Sequence, residues 1–401
     1  MKNLHKIILV ALFTLICFAL PAATFFLMPK EAAPFSQNEN RFLSAFIKPD
    51  LGGYATTFFN KSPNNIKNKQ FMNGFDAWFA DRFLLRENWI VLKNELEMLQ
   101  GKTEINGVFI VDDKMLQSWR DDERGLNSDI DLTLSAVDEF ARKMNDEAQA
   151  QSYIMLVPTA QEIYVDLLPA NSQPGNQAAL IKHCYDNLET LTSIGVMTYL
   201  SENSDRYIYY RTDHHWTTYG AYWGYYAAAI NMGITPYELG RFNVEHAASN
   251  FRGTLFSKTL SFRVTPDVIQ FYTLSSNSPY SQNSLRLRVN NGREVTEYDS
   301  LYLREFLEQK DKYAAFMGLN SPIMDVYTDI DNGKSLLLFK DSFAHCMIPF
   351  LANHYSHITV IDMRYINAAL EEYIKLSDYK EVLFLYSATN FAEDNDLRKL
   401  Y

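Results

Sequence analysis

The chain has 401 residues with 37 Lys and Arg against 48 Asp and Glu, a net charge of −11, and no long basic run, so it lacks the electrostatic footprint of a nucleic-acid binder. At 47% hydrophobic and 21% charged it is globular in composition and long enough for one large domain or two ordinary ones. Its three cysteines, Cys17, Cys184 and Cys346, make neither a disulfide framework nor a zinc ligand set, although a single Cys184–Cys346 bridge stays open.

Lys2 and Lys6 precede an apolar run from Ile7 to Met28. That length spans a hydrocarbon core, whereas the apolar part of a cleaved signal runs to about 7–15 residues. Residues 1–30 are therefore expected to be an N-terminal membrane anchor, with cleavage near Pro21-Ala22-Ala23 as the alternative. The flanking lysines put the N-terminus in the cytoplasm and the rest outside. A polar connector from Pro29 to about Asn65 follows. Then Phe71, Phe75, Trp78, Phe79 and Phe83 recur at helical spacing, which predicts an amphipathic helix packed on a core. Connector and helix make up residues 31–105. Gly101 closes the helical stretch, and Ile105 to Val111 reads as a turn into a strand.

Helical periodicity returns from Leu132 to about Ala148, before a continuous apolar strand from Tyr153 to Val157 that Pro158 ends. Such runs suit strands buried on both faces of a parallel sheet. A helix from Gln177 to Ser193 and a strand from Val196 to Leu200 complete a β-α-β alternation, the mark of a layered α/β domain. Next comes Arg211-Thr212-Asp213-His214-His215-Trp216-Thr217-Thr218-Tyr219-Gly220. An acid two residues from an imidazole can hold that ring in one tautomer as a general base. Thr217 or Thr218 then caps a helix through about Met232. From about 236 to 334 the pattern turns to short alternating segments, such as Thr265 to Tyr272, and polar runs, such as Ser275 to Asn283. This reads as a β-rich insertion.

The α/β pattern resumes with the strand Ser335 to Phe339, the turn Lys340-Asp341-Ser342 and a helix from Phe343 to Asn353. A serine between a strand end and a helix start has backbone N–H groups around it and the helix dipole behind it, which favours an oxyanion there. Ser342 is the candidate nucleophile. The strand Ile358 to Asp362, a helix from about Asn367 to Leu376 and the strand Glu381 to Tyr386 follow. Ser387-Ala388-Thr389-Asn390 then lies at the sheet edge where ligands gather in open α/β folds.

Asp-His-His-Trp before a helix, then Lys-Asp-Ser-Phe between a strand and a helix, resembles the bacterial DHHW family. That family is similar to the alginate O-acetyltransferase branch of the SGNH hydrolase-like superfamily. Glu39-Asn40-Arg41, Asp81-Arg82-Phe83, Gly101-Lys102 through Asn106-Gly107-Val108, and Asp362-Met363-Arg364-Tyr365 also stand in the family's order. The resemblance implies an SGNH-like parallel sheet flanked by helices over residues 106–401, and a Ser-His-Asp triad whose acid and base precede the serine. Ser342 would attack an acyl carbonyl, His215 take its proton and Asp213 orient His215; geometry, not chain order, defines such a triad. The Ser342 N–H would form part of the oxyanion hole, with Asn390 or Tyr386 as further donors. Lys340 departs from the superfamily's Gly-Asp-Ser block, and glycine permits torsions and close approaches that lysine does not.

Each assignment has a plainer counterpart. Ser342 could be only an N-cap, and Asp213 could cap a turn. His214 points the other way if the segment is extended, which makes it a supporting residue, as are Asp341 and Trp216. His345, His354 and His357 match no common metal-ligand spacing beside His214 and His215, so no metal or other cofactor is expected. Arg364 and Tyr365 follow a strand end where substrate contact is possible, and Trp216 and Trp223 are helix-packing residues before they are sugar-stacking ones. The expectation is an anchored, extracytoplasmic bacterial O-acetyltransferase or acetylesterase acting on a cell-surface polysaccharide, with a membrane acyl-passing partner implied by the resemblance. The alternative is a non-catalytic glycan-binding or envelope-assembly protein on the same fold.

Overall fold

The computed structural model describes residues 4–27, 34–45, 66–120, 128–275 and 285–400. Most of the polar connector and all but the first residue of the Ser275–Asn283 run lie outside these. The chain divides into two compact units, residues 1–102 with 257–261, and residues 103–256 with 262–401.

In the first unit a 24-residue apolar helix, Leu4–Leu27, is long and apolar enough to cross a membrane. Its C-terminal end packs on the helix Ile66–Arg82, with Phe25 edge-on to Trp78, and the Thr24 hydroxyl accepts the Leu84 N–H at 3.0 Å. Strands β1 (Phe35–Ser36) and β2 (Arg41–Phe42) pair antiparallel. Arg41 beside β1 grips Asp81 with two nitrogens at 3.0 and 2.6 Å, so two of the sequence motifs hold each other. Such bidentate pairs fix orientation as well as adding energy. A second helix, Arg86–Leu99, buries Asn94 against the Thr259 carbonyl at 2.6 Å. Gly101 ends that stretch with φ +90°, a torsion glycine adopts without strain.

The second unit begins with a meander of β3 (Glu104–Ile105), β4 (Val108–Val111) and β5 (Lys114–Gln117). Asn106 and Gly107, both at positive φ, make the tight turn that joins β3 to β4. The main sheet has eight strands in the order β11-β10-β12-β14-β13-β15-β6-β7. These are β6 (Gln151–Val157), β7 (Thr192–Ser193), β10 (Leu285–Asn290), β11 (Val295–Tyr298), β12 (Ile323–Thr328), β13 (Ser335–Lys340), β14 (His357–Ile361) and β15 (Glu381–Ser387). From β14 to β7 every pairing is parallel, while β10, β11 and β12 add an antiparallel wing. The fold is thus mixed α/β with a large, mostly parallel sheet. The stretch 236–334 supplies that wing, together with a separate hairpin of β8 (Phe242–Phe251) and β9 (Asp267–Leu274).

The central strands are buried on both faces, as their unbroken apolar runs require. Leu336, Leu338, Leu383 and Leu385 face one core with the helix Thr218–Asn231. Leu337, Phe339, Val382 and Phe384 face the other with the helix Ser128–Ala148. Cys184 and Cys346 fall in opposite cores as free thiols, so the open bridge does not form.

Four sequence expectations change. The helix from Gln177 stops at Asp186, and Val196–Leu200 is not a strand: Val196 and Leu200, both buried, are one helical turn apart and lead the helix Met197–Glu202. Phe343–Asn353 is a tight 3₁₀ turn, Ser342–Cys346, followed by Ile348–Leu351. Pro349 has no N–H to continue the first turn into the second. The helix expected at Asn367–Leu376 is replaced by 3₁₀ turns at Leu370–Glu372 and Leu376–Asp378. Leu370 and Leu376 are both buried, yet six residues apart they would face opposite sides of an α-helix.

Candidate active site

The parallel strands present their C-terminal ends at one edge, where chains leave for Thr159, Ser342, Asp362 and Asn390. Two loops converge there. The loop from Tyr207 to Thr217 is closed by Thr217 N–H to the Ile208 carbonyl at 2.9 Å and by a bridge between Tyr209 and Trp216. Buried Asp267 at the start of β9 accepts from the Arg211 N–H at 2.7 Å and the Thr212 N–H at 2.8 Å. Thr217 then caps the helix Thr218–Asn231 by accepting the Gly220 N–H at 3.2 Å, an arrangement worth about 1 kcal/mol.

The second loop is the turn after β13. Lys340 is its last strand residue and is fully buried; it is not among the positive-φ residues, so the strand end needs no glycine. Its ammonium donates to Asn320 Oδ1 at 2.6 Å and meets His345 Nε2 at 2.8 Å and Asp362 Oδ2 at 3.1 Å. Burial lowers the Lys340 pKa to about 8 against the pull of Asp362. Burial beside that ammonium pushes His345 well below the usual histidine range, which fits a neutral acceptor there. Asp341 is buried and accepts from Phe343 N–H, Ser387 N–H, Ser387 Oγ and Asn390 Nδ2 at 2.8–2.9 Å. One carboxylate thereby ties the turn after β13 to the end of β15.

The loops bring together three residues that lie far apart in sequence. His215 Nε2 is 2.7 Å from Ser342 Oγ, and His215 Nδ1 is 2.6 Å from Asp213 Oδ1, both within hydrogen-bond reach for a base and its partners. The other Asp213 oxygen accepts from Thr254 N–H at 2.8 Å and Thr254 Oγ1 at 3.0 Å. Burial alone would raise the Asp213 carboxyl, but His214, His215 and the Thr254 N–H outweigh it and hold the group well below the usual carboxylate range. Asp213, His214 and His215 could also crowd donors around a metal ion. Both His215 nitrogens, however, are already directed at Asp213 and Ser342.

Three residues not anticipated from the sequence shape this arrangement. Tyr313 stacks on the His215 ring at 3.8 Å and 5°, and donates from its hydroxyl to the Ser342 carbonyl at 2.9 Å. Thr254 holds Asp213 from behind. Gly253 passes so close that a Cβ there would sit 2.3 Å from Asp213 Oδ2. Only an isolated glycine in a polar loop hinted at the last, and nothing local marked the other two.

The remaining sequence candidates separate. Asn390 lines a cavity of about 30 Å³ together with Trp119, Thr159, His214, Phe343 and Thr389. His214 is not turned away as an extended segment would require: residues 211–215 are bent, so its ring lies 3.8 Å from that of His215 and its Nδ1 meets Thr254 Oγ1 at 2.7 Å. Trp216 is buried and donates to the Phe343 carbonyl at 2.9 Å. Tyr386 faces the opposite core and does not reach this cavity. Arg364 is committed to Asp362 through Nε and Nη2 at 2.8 and 2.7 Å, and exposed Tyr365 lies beside it outside the cavity lining. A roomier cavity of about 210 Å³, lined by Tyr272, Asp299, Tyr302 and Asn353 among others, offers neither a histidine nor a paired nucleophile. Size therefore does not locate the chemistry.

A family model described as DHHW protein matches residues 117–361, more than half of the chain. Comparison with curated protein sequences finds no match. Among solved structures, a DHHW family protein from Eubacterium siraeum is 24% identical, with 74% of this chain and 95% of that chain covered and a TM-score of 0.63. Bacillus cereus PatB1 with a sulfonyl adduct is 20% identical, with 72% and 97% covered and a TM-score of 0.60. At these identities both likenesses are of fold.

Proposed function

The chain belongs to the DHHW family, and from that premise we propose that it is an extracytoplasmic enzyme that moves or removes an O-acetyl group on a cell-surface polysaccharide. The observation that carries this reading is the unbroken hydrogen-bonded series from Asp213 through His215 to Ser342. His215 Nε2 takes the Ser342 proton as Oγ attacks an acyl carbonyl, and Asp213 stabilises the imidazolium that results. The Ser342 N–H opens a helical turn, where early N–H groups have no intrahelical partner, and receives the oxyanion with help from Asn390. The imidazolium returns its proton to the departing group, leaving acyl-Ser342. A sugar hydroxyl or water, deprotonated by His215, then takes the acyl group.

The size of the cavity beside Phe343 and Asn390 supports a short acyl group. About 30 Å³ accommodates roughly two water-sized groups, which suits an acetyl and not a long chain. Residues 106–401 form the SGNH-like catalytic region in this reading. The helix Leu4–Leu27 anchors the chain in the bacterial membrane beside an acyl-passing membrane partner. Sulfonyl electrophiles are captured by activated oxygen nucleophiles, and PatB1, similar in fold, is described with a sulfonyl adduct.

The test is labelling of the full-length protein with an aryl sulfonyl fluoride, followed by turnover of an acetyl ester. Labelling that maps to Ser342 and disappears in Ser342→Ala is expected. Neither labelling nor turnover, with glycan binding intact, would leave the binding-protein alternative standing instead.

A further inference from the structure

The helix Arg86–Leu99 carries an apolar seam that nothing in the acyl-transfer reading uses. Trp89, Leu92, Leu96 and Leu99 are 36, 48, 49 and 75% exposed. Their spacing of three, four and three residues repeats the two apolar positions of a heptad and keeps them on one narrow stripe. Leu85, just before the helix, is 60% exposed and sits at φ +60°, a left-handed torsion that costs a leucine energy and persists where surroundings hold it. The opposite side of the helix is satisfied internally by Asn94.

We propose that this seam is the docking surface for a second copy of the same chain, the two helices running parallel. A lipid surface fits less well. An interfacial helix has a wide apolar face and a basic polar one, whereas this seam is narrow and the helix bears Arg86 and Lys93 against Glu87, Glu95 and Glu97. The flanking residues also choose the direction. With Leu92 and Leu99 at the second apolar position of the heptad, parallel pairing sets Asn88 beside Lys93 and Glu95 beside Gln100 of the other copy. Antiparallel pairing sets Lys93 against Lys93 and Glu95 against Glu95.

Four or five side chains make less than the about 20–30 residues a side of a standard interface. Confinement supplies the rest. The helix starts where Leu84 is bonded to Thr24 at the end of the apolar helix Leu4–Leu27, so copies anchored in one membrane share an orientation and meet at raised effective concentration. This argument rests on the anchoring reading but not on the acyl-transfer chemistry.

The experiment uses the full-length chain in lipid nanodiscs and in native membranes, with Cys17→Ala as background, because Cys184 and Cys346 are buried. Oxidation is expected to give dimers from Leu92→Cys and Leu99→Cys and none from Glu97→Cys, which lies off the seam. The double variant L92E/L96E is expected to lose the dimer while Ser342 still takes the sulfonyl label, which shows that the fold survives. Equal crosslinking at Glu97, a monomer in the unaltered chain, or quenching of Trp89 by bromine-labelled lipid tails would each overturn the proposal. If alkaline washing strips the chain from membranes, the anchoring reading falls by itself. Sedimentation of the released chain then decides, a dimer lost in L92E/L96E supporting the seam and a monomer refuting it.

Discussion

Replacing Gly253 by alanine probes Asp213 without touching any of the three residues in the series. The torsion at Gly253 lies outside the left-handed region, so alanine brings no backbone strain of that kind. Its Cβ would nevertheless start 2.3 Å from both Cβ and Oδ2 of Asp213. Ordinary contact begins near 3.4 Å, so the carboxylate must retreat by about 1 Å, and misplacements of that size cost on the order of 10²-fold in rate. The same figure follows from the bond at risk. A hydrogen bond to a charged group is worth about 1.5–3 kcal/mol, or about 10- to 150-fold. We expect Gly253→Ala to slow both sulfonyl labelling of Ser342 and acetyl-ester turnover by about that factor, with thermal unfolding still cooperative. Because the effect runs through Asp213, adding it to Asp213→Asn should cost little more than Asp213→Asn alone. Unchanged labelling, or losses that multiply in the double variant, would refute the close-contact account.

Tyr313→Phe keeps the ring over His215 but removes the bond to the Ser342 carbonyl, and should lower kcat by about 3- to 10-fold at constant KM, in line with about 0.5–1.5 kcal/mol for one hydrogen bond; Tyr313→Leu, which removes the stacked ring as well, should cost more. Asp341→Asn leaves buried donors of Phe343, Ser387 and Asn390 poorly matched, and urea unfolding should show a loss of at least about 2 kcal/mol. On the acid side Asp213 is held below its ordinary 3.8 when folded, so it contributes stability above about pH 4 that is lost as pH falls further. Asp213→Asn should flatten that part of a pH–stability profile. Lys340 titrates near about 8 when folded and at 10.5 when free. Between these the unfolded chain binds more protons, so stability rises with pH by up to about 1.4 kcal/mol per unit. From pH 8 to 10 the unaltered protein should gain on Lys340→Met, and a parallel profile would contradict the buried charge.

Strands at the sheet centre were legible because burial on both faces leaves an unbroken apolar run, as in Met155 to Val157 or Leu336 to Phe339. The same property hid the smaller elements. Val196 to Leu200 has a strand's composition, and only its two buried ends, one turn apart, mark it as helical. Asp213, His215 and Ser342 could be named because each stands in a local pattern: an acid beside an imidazole, and a serine between strand and helix. Tyr313, Thr254 and Gly253 stand in none, since their roles arise from loops that meet only when the sheet is assembled. Lys340 read as a departure because glycine's usual freedom was assumed to be required, whereas the strand end is extended and its side chain has partners of its own.

The order of the strands also fixes a timetable. β15, the last strand made, lies between β13 and β6, so the centre of the sheet stays open until the final residues have emerged. Asp341, next to the nucleophile, waits on Ser387 and Asn390 for its partners. Contacts spanning that much chain form late and slowly. A nascent or secreting chain therefore carries Asp213, His215 and Ser342 long before they can act together, and loss of the last strand by truncation would silence the site without altering one of its residues.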